Sequence, residues 1–318
     1  MQKPSFDPGL TQTYAGNLQR VINKDGGFNV YRTGFTWRDI HPYLLLVNLS
    51  WSKFLLVVLA FFLVVNVMFA AVFMMIGPDC IYGAKASSYW LTFLNIAFFS
   101  SHTLTTVGYG NMYPVGVAAN AVASFEALMG LLAFALATGL LFGRFARPSA
   151  RIGFSRNMVV APYGGDGISL QFRVVNRRQN NLINLEARMT LMTVEEINGR
   201  LGRKFLNLEL ERTEVLFFPL TWTVVHPIDE NSPLWGKTKA DVEGLRAELL
   251  IQMRGFDDTF GQIVHSRHSY RYDEIVWGAR FVPAFDFDKN GVMHVEVNKV
   301  GQCERAALPE IRAPQLKS

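Results

Sequence analysis

The chain has 318 residues, half of them hydrophobic, with 31 Lys and Arg against 26 Asp and Glu and a net charge of +5. Its mean hydropathy is positive, which is too apolar for one ordinary soluble domain and too polar for a protein lying wholly in a bilayer. The small positive charge calls for no nucleic-acid partner, because the clustered basic residues flank apolar runs, and Cys80 and Cys303 alone make no disulfide framework. Residues 1–36 form a mostly polar N-terminal segment, and the first apolar run begins only at Trp51, so no signal peptide is expected. The stretch "GFTWRDIHPYLLLVNLSW" then mixes Arg38, Asp39 and His41 with Trp37, Ile40, Tyr43 and leucines. It reads either as an extension of the following span or as an interfacial helix over 37–48 with tryptophans at headgroup level.

Trp51 to Ile76 is almost unbroken apolar sequence, interrupted mainly by Asn66. At ~1.5 Å per residue such a run crosses a ~30 Å hydrocarbon core with some tilt. A second span is expected over 115–146, with Glu126 as the one charge in its middle part, and nothing beyond Pro148 is long and apolar enough to span. Arg20, Lys24, Arg32, Arg38 and Lys53 stand before or at the entrance of the first span, and Arg144, Arg147, Arg151 and Arg156 follow the second. Between the spans the only basic residue is Lys85. This asymmetry predicts two membrane crossings with both ends in the cytoplasm and residues 77–114 outside. Cys80 and Cys303 then fall on opposite sides of the bilayer.

Between the spans, "SSYWLTFLNIAFFSSHTL" is apolar but short. Its helical portion, 89–103, fits a re-entrant helix, with an amphipathic helix on the outer surface as the alternative on length alone. Then comes "TTVGYG", residues 105–110. Its glycines permit backbone angles that a Cβ blocks, and non-helical backbone at membrane depth is tolerated only when buried in protein or lining a water-filled path.

Span, short helix, Thr-Val-Gly-Tyr-Gly, span: this order resembles the pore module of a potassium channel. The ion is recognised from that well-known filter signature and not deduced from the residues. The resemblance implies K+ bound by the main-chain carbonyls of Thr106, Val107, Gly108 and Tyr109, with Gly110 closing the motif and the Thr106 hydroxyl forming the innermost ring. The Val107 and Tyr109 side chains are expected to point away and brace the loop. The short helix aims its negative dipole end at the central cavity. One chain supplies a quarter of such a filter, so a homotetramer is implied, with K+ ions in the filter and no other cofactor.

Three motifs in the tail narrow the resemblance: "GRFARPSARIGFS", "LTWTVVHPIDENSPLWG" and "SYRYDEIVWGARFV". They resemble the inward-rectifier potassium channel family, and from about Trp37 to Val300 the chain is similar to its prokaryotic, KirBac-type branch. The implied fold is a two-span α-helical pore-loop membrane domain (49–147) plus an all-β cytoplasmic immunoglobulin-like sandwich (148–318), in the inner membrane of a bacterium. The resemblance also favours the interfacial reading of 37–48, as a slide helix. The tail supports a sandwich independently: "SLQFRVVN", "LEARMTLMTV", "LNLEL", "ELLIQM", "GQIVHSRHSY" and "MHVEVNKV" are short strand-like runs punctuated by "YGGDG", "INGR" and "DKNG".

Near the end of the second span, Phe134 and Phe142 lie near one helical face. Phenylalanines here commonly face lipid or pack between helices. The resemblance instead places Phe142 at the inner bundle crossing, where four such rings would form an apolar gate, and Phe134 on the pore. Strongly rectifying relatives carry an acidic residue at the position of Phe134, so strong polyamine block is not expected.

Glu126 should face protein or water, because a charge at mid-span costs ~2.5–3.5 kcal/mol. His102, just before the filter, is a candidate partner; the alternative is that each contacts backbone or water separately. Met112 stands where many family members have an arginine that bridges to a glutamate at the position of His102, so that bridge is absent here. Arg38, Arg144, Arg147 and Arg151 are candidates for anionic phospholipid headgroups, each contributing ~1 kcal/mol, or are topology anchors only. The basic run of eukaryotic relatives is missing, with Ser149 and Ala150 in its place.

"DFDKNG" opens like an EF-hand loop but has Val297 at the twelfth position, so a β-turn is expected. His265 and His268 fall on opposite faces of a strand and make no metal site. No nucleophile motif, phosphate loop or acid pair marks an enzyme. The sequence therefore reads as a passive K+ channel, with a membrane-tethered binding module around a non-conducting pore as the alternative.

Overall fold

The computed structural model describes residues 8–309 apart from 15, 17–19, 35, 40, 147–149, 179 and 198. The chain divides into two units, one of residues 32–147 and one that combines residues up to Tyr31 with those from 148 onward.

In the first unit a 3-10 turn, Trp37–Asp39, precedes helix α1, Pro42–Asn48. The interfacial segment is thus broken and not one helix over 37–48, with Ile40 outside the described residues. The break has a local cause. Pro42 lacks an N–H and disfavours helix in the residue before it, so α1 restarts with proline in its first turn. Leu49 and Ser50 are extended, which separates α1 from helix α2, Trp51–Ile76. The segment is therefore not an extension of the first span either.

Helix α2 spans 26 residues, about 39 Å. Helix α3, Tyr89–Leu104, has 16 residues, about 24 Å, too short to cross a ~30 Å core. Helix α4, Gly116–Phe145, has 30. Strands β1, Ile81–Tyr82, and β2, Tyr113–Pro114, pair antiparallel and clip together the two ends of the segment between the spans. Tyr82 stacks on Tyr113 at 4.6 Å across this clip. Gly83 beside it has φ +78°, and a Cβ there would sit 2.7 Å from the Asn111 carbonyl, so only glycine closes the turn.

Val65, Phe69, Ala70 and Phe73 of α2, Ile96, Phe99 and Leu104 of α3, and Ala119 and Ala123 of α4 form this unit's core. Outside that stripe the large side chains of α2, such as Leu55, Leu59, Leu63 and Val67, are exposed. That pattern suits a helix whose other faces meet lipid or further protein.

The second unit is a sandwich. One sheet holds β3 (Ile152–Phe154), β4 (Met158–Tyr163), β5 (Gly167–Asn176), β9 (Thr221–Ile228) and β12 (Ile275–Trp277). The other holds β6 (Leu182–Ile197), β7 (Arg200–Leu208), β8 (Glu214–Phe217), β10 (Glu248–Asp257) and β11 (Gln262–Arg271). Alternating side chains of both sheets meet in one core that includes Leu170, Phe172, Val174 and Val224 from the first and Leu185, Met189, Leu249 and Tyr270 from the second. Helix α5, Lys239–Gly244, is held by a capping box between Thr238 and Asp241. Strands β13 (Ala279–Phe281) and β16 (Cys303–Arg305) pair, as do β14 (Phe285–Phe287) and β15 (Met293–Val295).

"DFDKNG" is the turn of that last hairpin: the Asp288 carboxylate accepts from the Asn290 and Val292 amides. "MHVEVNKV" is strand only to Val295 and then turns into a 3-10 segment, Val297–Lys299. His265 is exposed and His268 buried on the same strand, as alternation demands.

The N-terminal segment packs on the sandwich. Thr13 bridges to Gly202, Arg20 donates to the Ser269 carbonyl at 2.8 Å, and the Ser269 hydroxyl donates to the Ile22 carbonyl at 2.6 Å. Glu274 receives both Arg20 and Lys24. Burial opposes ionisation of Glu274, but Lys24, the Arg271 amide and Arg20 outweigh it and hold the carboxyl below the ordinary carboxylate range.

Candidate functional site

The site lies where α3 ends. Positive φ falls at Thr106 (59°), Gly108 (53°) and Gly110 (81°), and not at Val107 or Tyr109. This alternation of hand turns successive main-chain groups toward a common side. Glycine adopts such angles freely, but threonine does so only under constraint. The constraint is visible. The Val107 and Gly108 amides both donate to the His102 carbonyl of α3, at 2.9 and 3.3 Å, and the Thr106 amide donates to the Thr103 carbonyl at 3.0 Å. These three donors of the loop are thereby spent on the helix behind it. No donor among the described residues reaches the carbonyls of Thr106, Val107, Gly108 or Tyr109. Four main-chain oxygens are left without a hydrogen-bond donor on one short non-helical stretch, a ligand set suited to a dehydrated cation and to no redox or acid–base chemistry.

Tyr109 is braced from behind by His102, whose ring meets it edge-on at 4.7 Å. Met112 packs against the core of the unit, and the ion pair nearest in sequence before α3 is the exposed Lys85–Asp79 contact at 2.8 Å. Lower on α4, Phe134 and Phe142 are 74% and 73% exposed on the single chain, so neither is consumed by packing within it. Phe134 lines a cavity of about 620 Å3 with Thr105, Thr106 and Gly130, bounded otherwise by apolar side chains of α2 and α4 and by Leu46 of α1 and Leu104 of α3.

Two family models match the chain. "Inward rectifier potassium channel C-terminal domain" covers residues 152–318, and "Ion channel" covers 54–147. The chain belongs to the inward rectifier potassium channel family. It is 36% identical over 284 residues to the inward rectifier potassium channel Kirbac3.1 of Paramagnetospirillum magnetotacticum, a match covering 88% of this chain and 94% of that one. The G protein-activated inward rectifier potassium channel 2 of rat and of human is 24% identical over 334 residues, 94% of this chain and 75% of theirs. This inward rectifier is thus similar to relatives from bacteria to mammals along both of its units, and a tethered binding module is not favoured.

Two further expectations for the site are corrected. Glu126 does not meet His102. It is fully buried, and its Oε1 accepts a hydrogen bond from the Ser100 hydroxyl of α3, while Oε2 has no partner among the described residues. His102 lies two residues further along α3 and turns toward Tyr109.

Arg144 is not a free cation awaiting a headgroup. Its guanidinium donates to the carbonyls of Leu46, Val47 and Leu49 at 2.7, 2.9 and 2.8 Å and lies over the rings of Trp51 and Phe54 at 4.7 and 4.6 Å. The last carbonyls of a helix have no intrahelical donor, and Arg144 supplies one for α1. Arg38 and Arg151 are exposed, and Arg147 lies outside the described residues.

Proposed function

We propose that this inward rectifier works as a homotetramer in a bacterial inner membrane, with both termini in the cytoplasm. Four copies of the Thr106–Tyr109 carbonyls ring the pore axis and replace the water of K+, which crosses passively. The observation that carries the reading is the turning of the loop's amides onto α3, which leaves the oxygens free. Phe142 closes the pore at the inner end of α4, and the sandwich biases that closure. Phe134 stands on the pore wall below the filter, and a ring of phenylalanine there supports weak rather than strong polyamine block. Arg38 and Arg151 remain the candidates for anionic phospholipid, each worth ~1 kcal/mol near a charged surface.

Rubidium uptake into liposomes tests the gate. Phe142→Ala removes the apolar constriction and raises basal uptake severalfold over the wild type. Unchanged uptake by an intact Phe142→Ala tetramer removes Phe142 from the gate.

A further inference from the structure

Within the membrane unit, the proposed function leaves the buried carboxyl of Glu126 unused. Glu126 has no exposed surface, and neither has Ser100, its one hydrogen-bond partner among the described residues. An unpaired acid in the middle of a span is costly and persists only with a compensating role. The placement of the pair suggests that role. One turn further along each helix, Gly130 of α4 lies against Leu104 of α3, so closely that a Cβ on Gly130 would fall 2.1 Å from the Leu104 carbonyl oxygen. Ser100 and Leu104 are four apart on α3, and Glu126 and Gly130 are four apart on α4. The two contacts are therefore successive rungs of one parallel seam. Gly130 allows close approach but not direction: an apolar seam lets α3 turn or slide. The Ser100–Glu126 hydrogen bond fixes both, as buried polar pairs do where they set register.

The seam ends at the filter. Leu104 is followed directly by Thr105 and Thr106, and the His102 carbonyl that receives the Val107 and Gly108 amides lies between the two rungs. A small rotation of α3 therefore moves the acceptor on which the loop hangs.

We propose that Ser100 and Glu126 form a brace behind the filter, in which Glu126 is a positioning residue that acts through Ser100 to hold the end of α3, and with it Thr106 to Tyr109, in the K+-selective geometry. The proposal rests on the reading of 105–110 as the filter.

The test uses the full-length protein in liposomes, with K+ over Na+ permeability measured by competition against rubidium uptake. Size-exclusion chromatography checks assembly of the wild type, Ser100→Ala, Glu126→Leu, Glu126→Gln and Ser100→Ala/Glu126→Leu. Ser100→Ala and Glu126→Leu should each lower the permeability ratio at least about tenfold, the scale of one hydrogen bond to a charged group. The double variant should lose no more than either single one, because both break the same contact. Glu126→Gln keeps an acceptor oxygen for Ser100 and should recover most of what Glu126→Leu loses.

Ser100→Ala tetramers that select like the wild type would overturn the brace. So would a Ser100→Ala protein that fails to assemble while Glu126→Gln assembles, since the contact would then serve folding alone. A wild type that fails to select K+ overturns the filter reading itself, which is a separate outcome.

Discussion

Gly130→Ala is the most severe small change the structure allows. The added Cβ would stand 2.1 Å from the oxygen, 2.9 Å from the carbon and 3.0 Å from the Cα of Leu104, where ordinary contact begins at 3.4 Å. All three atoms are backbone, so no side chain can swing aside. The end of α3 must retreat from α4 by roughly 1 Å. Overpacking of this kind costs ~1–3 kcal/mol. Charged against the conducting arrangement of the filter, that sum lowers its population ~5–150-fold. The matched comparison is Gly139→Ala on the same helix, whose Cβ meets nothing within 4 Å. Rubidium uptake per tetramer in liposomes reads the effect: Gly130→Ala should fall at least fivefold below Gly139→Ala. Gly130→Ala tetramers that conduct within twofold of that comparison would show that the contact of α3 with α4 does not set the filter.

Arg144→Met keeps the aliphatic stem but removes three donors from the end of α1. Hydrogen bonds to charged groups contribute ~1.5–3 kcal/mol each and are not additive, so the amides of residues 45–48 should exchange with deuterium at least tenfold faster, and unchanged protection refutes the assignment. Spermine should block the wild type weakly from the inner side, and Phe134→Asp should strengthen the block at least tenfold; equal block in both removes Phe134 from the pore wall. His268 is buried against the rings of Phe154 and Tyr270. Burial lowers its pKa from 6.5 to about 4, aided by Arg20 and opposed by its bond to the Lys24 carbonyl. Between those values the unfolded chain binds a proton that the folded one does not, so stability falls as pH drops from about 6.5 to about 4, by roughly 3 kcal/mol in all. His268→Gln should flatten that part of the thermal-stability profile of the full-length protein in detergent, and an unchanged acid limb contradicts the account.

How much of this is legible in the sequence depends on what each residue's fate turns on. The ends of α2 are plain because an all-round apolar run has no other solution in a bilayer. The loop at 105–110 stands out because Gly108 and Gly110 suit its positive φ angles, whereas Thr106 does not, and the ion is named by the resemblance and not by those angles. The break before α1 is written in Pro42, but the pull of a long amphipathic pattern hides it. Three-residue strands such as β12, β13 and β16 carry too little periodicity to be seen and exist because neighbours already in place pair with them.

The partner of Glu126 is decided by the parallel register of α3 on α4, a long-range fact. His102 is a candidate on sequence alone because it is a titratable residue just before 105–110. Arg144 shows the same limit. A basic residue at the inner end of a span reads alike whether it meets lipid or protein, and only the unsatisfied carbonyls at the end of α1 settle the matter.

The central claim is a ring of main-chain oxygens that admits K+ and refuses Na+. Its most direct measurement is cation selectivity of the purified, full-length protein in liposomes, with the number of subunits determined on the same sample. The account predicts rubidium uptake driven by internal K+, little competition from equal Na+, and four chains per particle. Equal passage of Na+ and rubidium, or any stable assembly other than four, contradicts it.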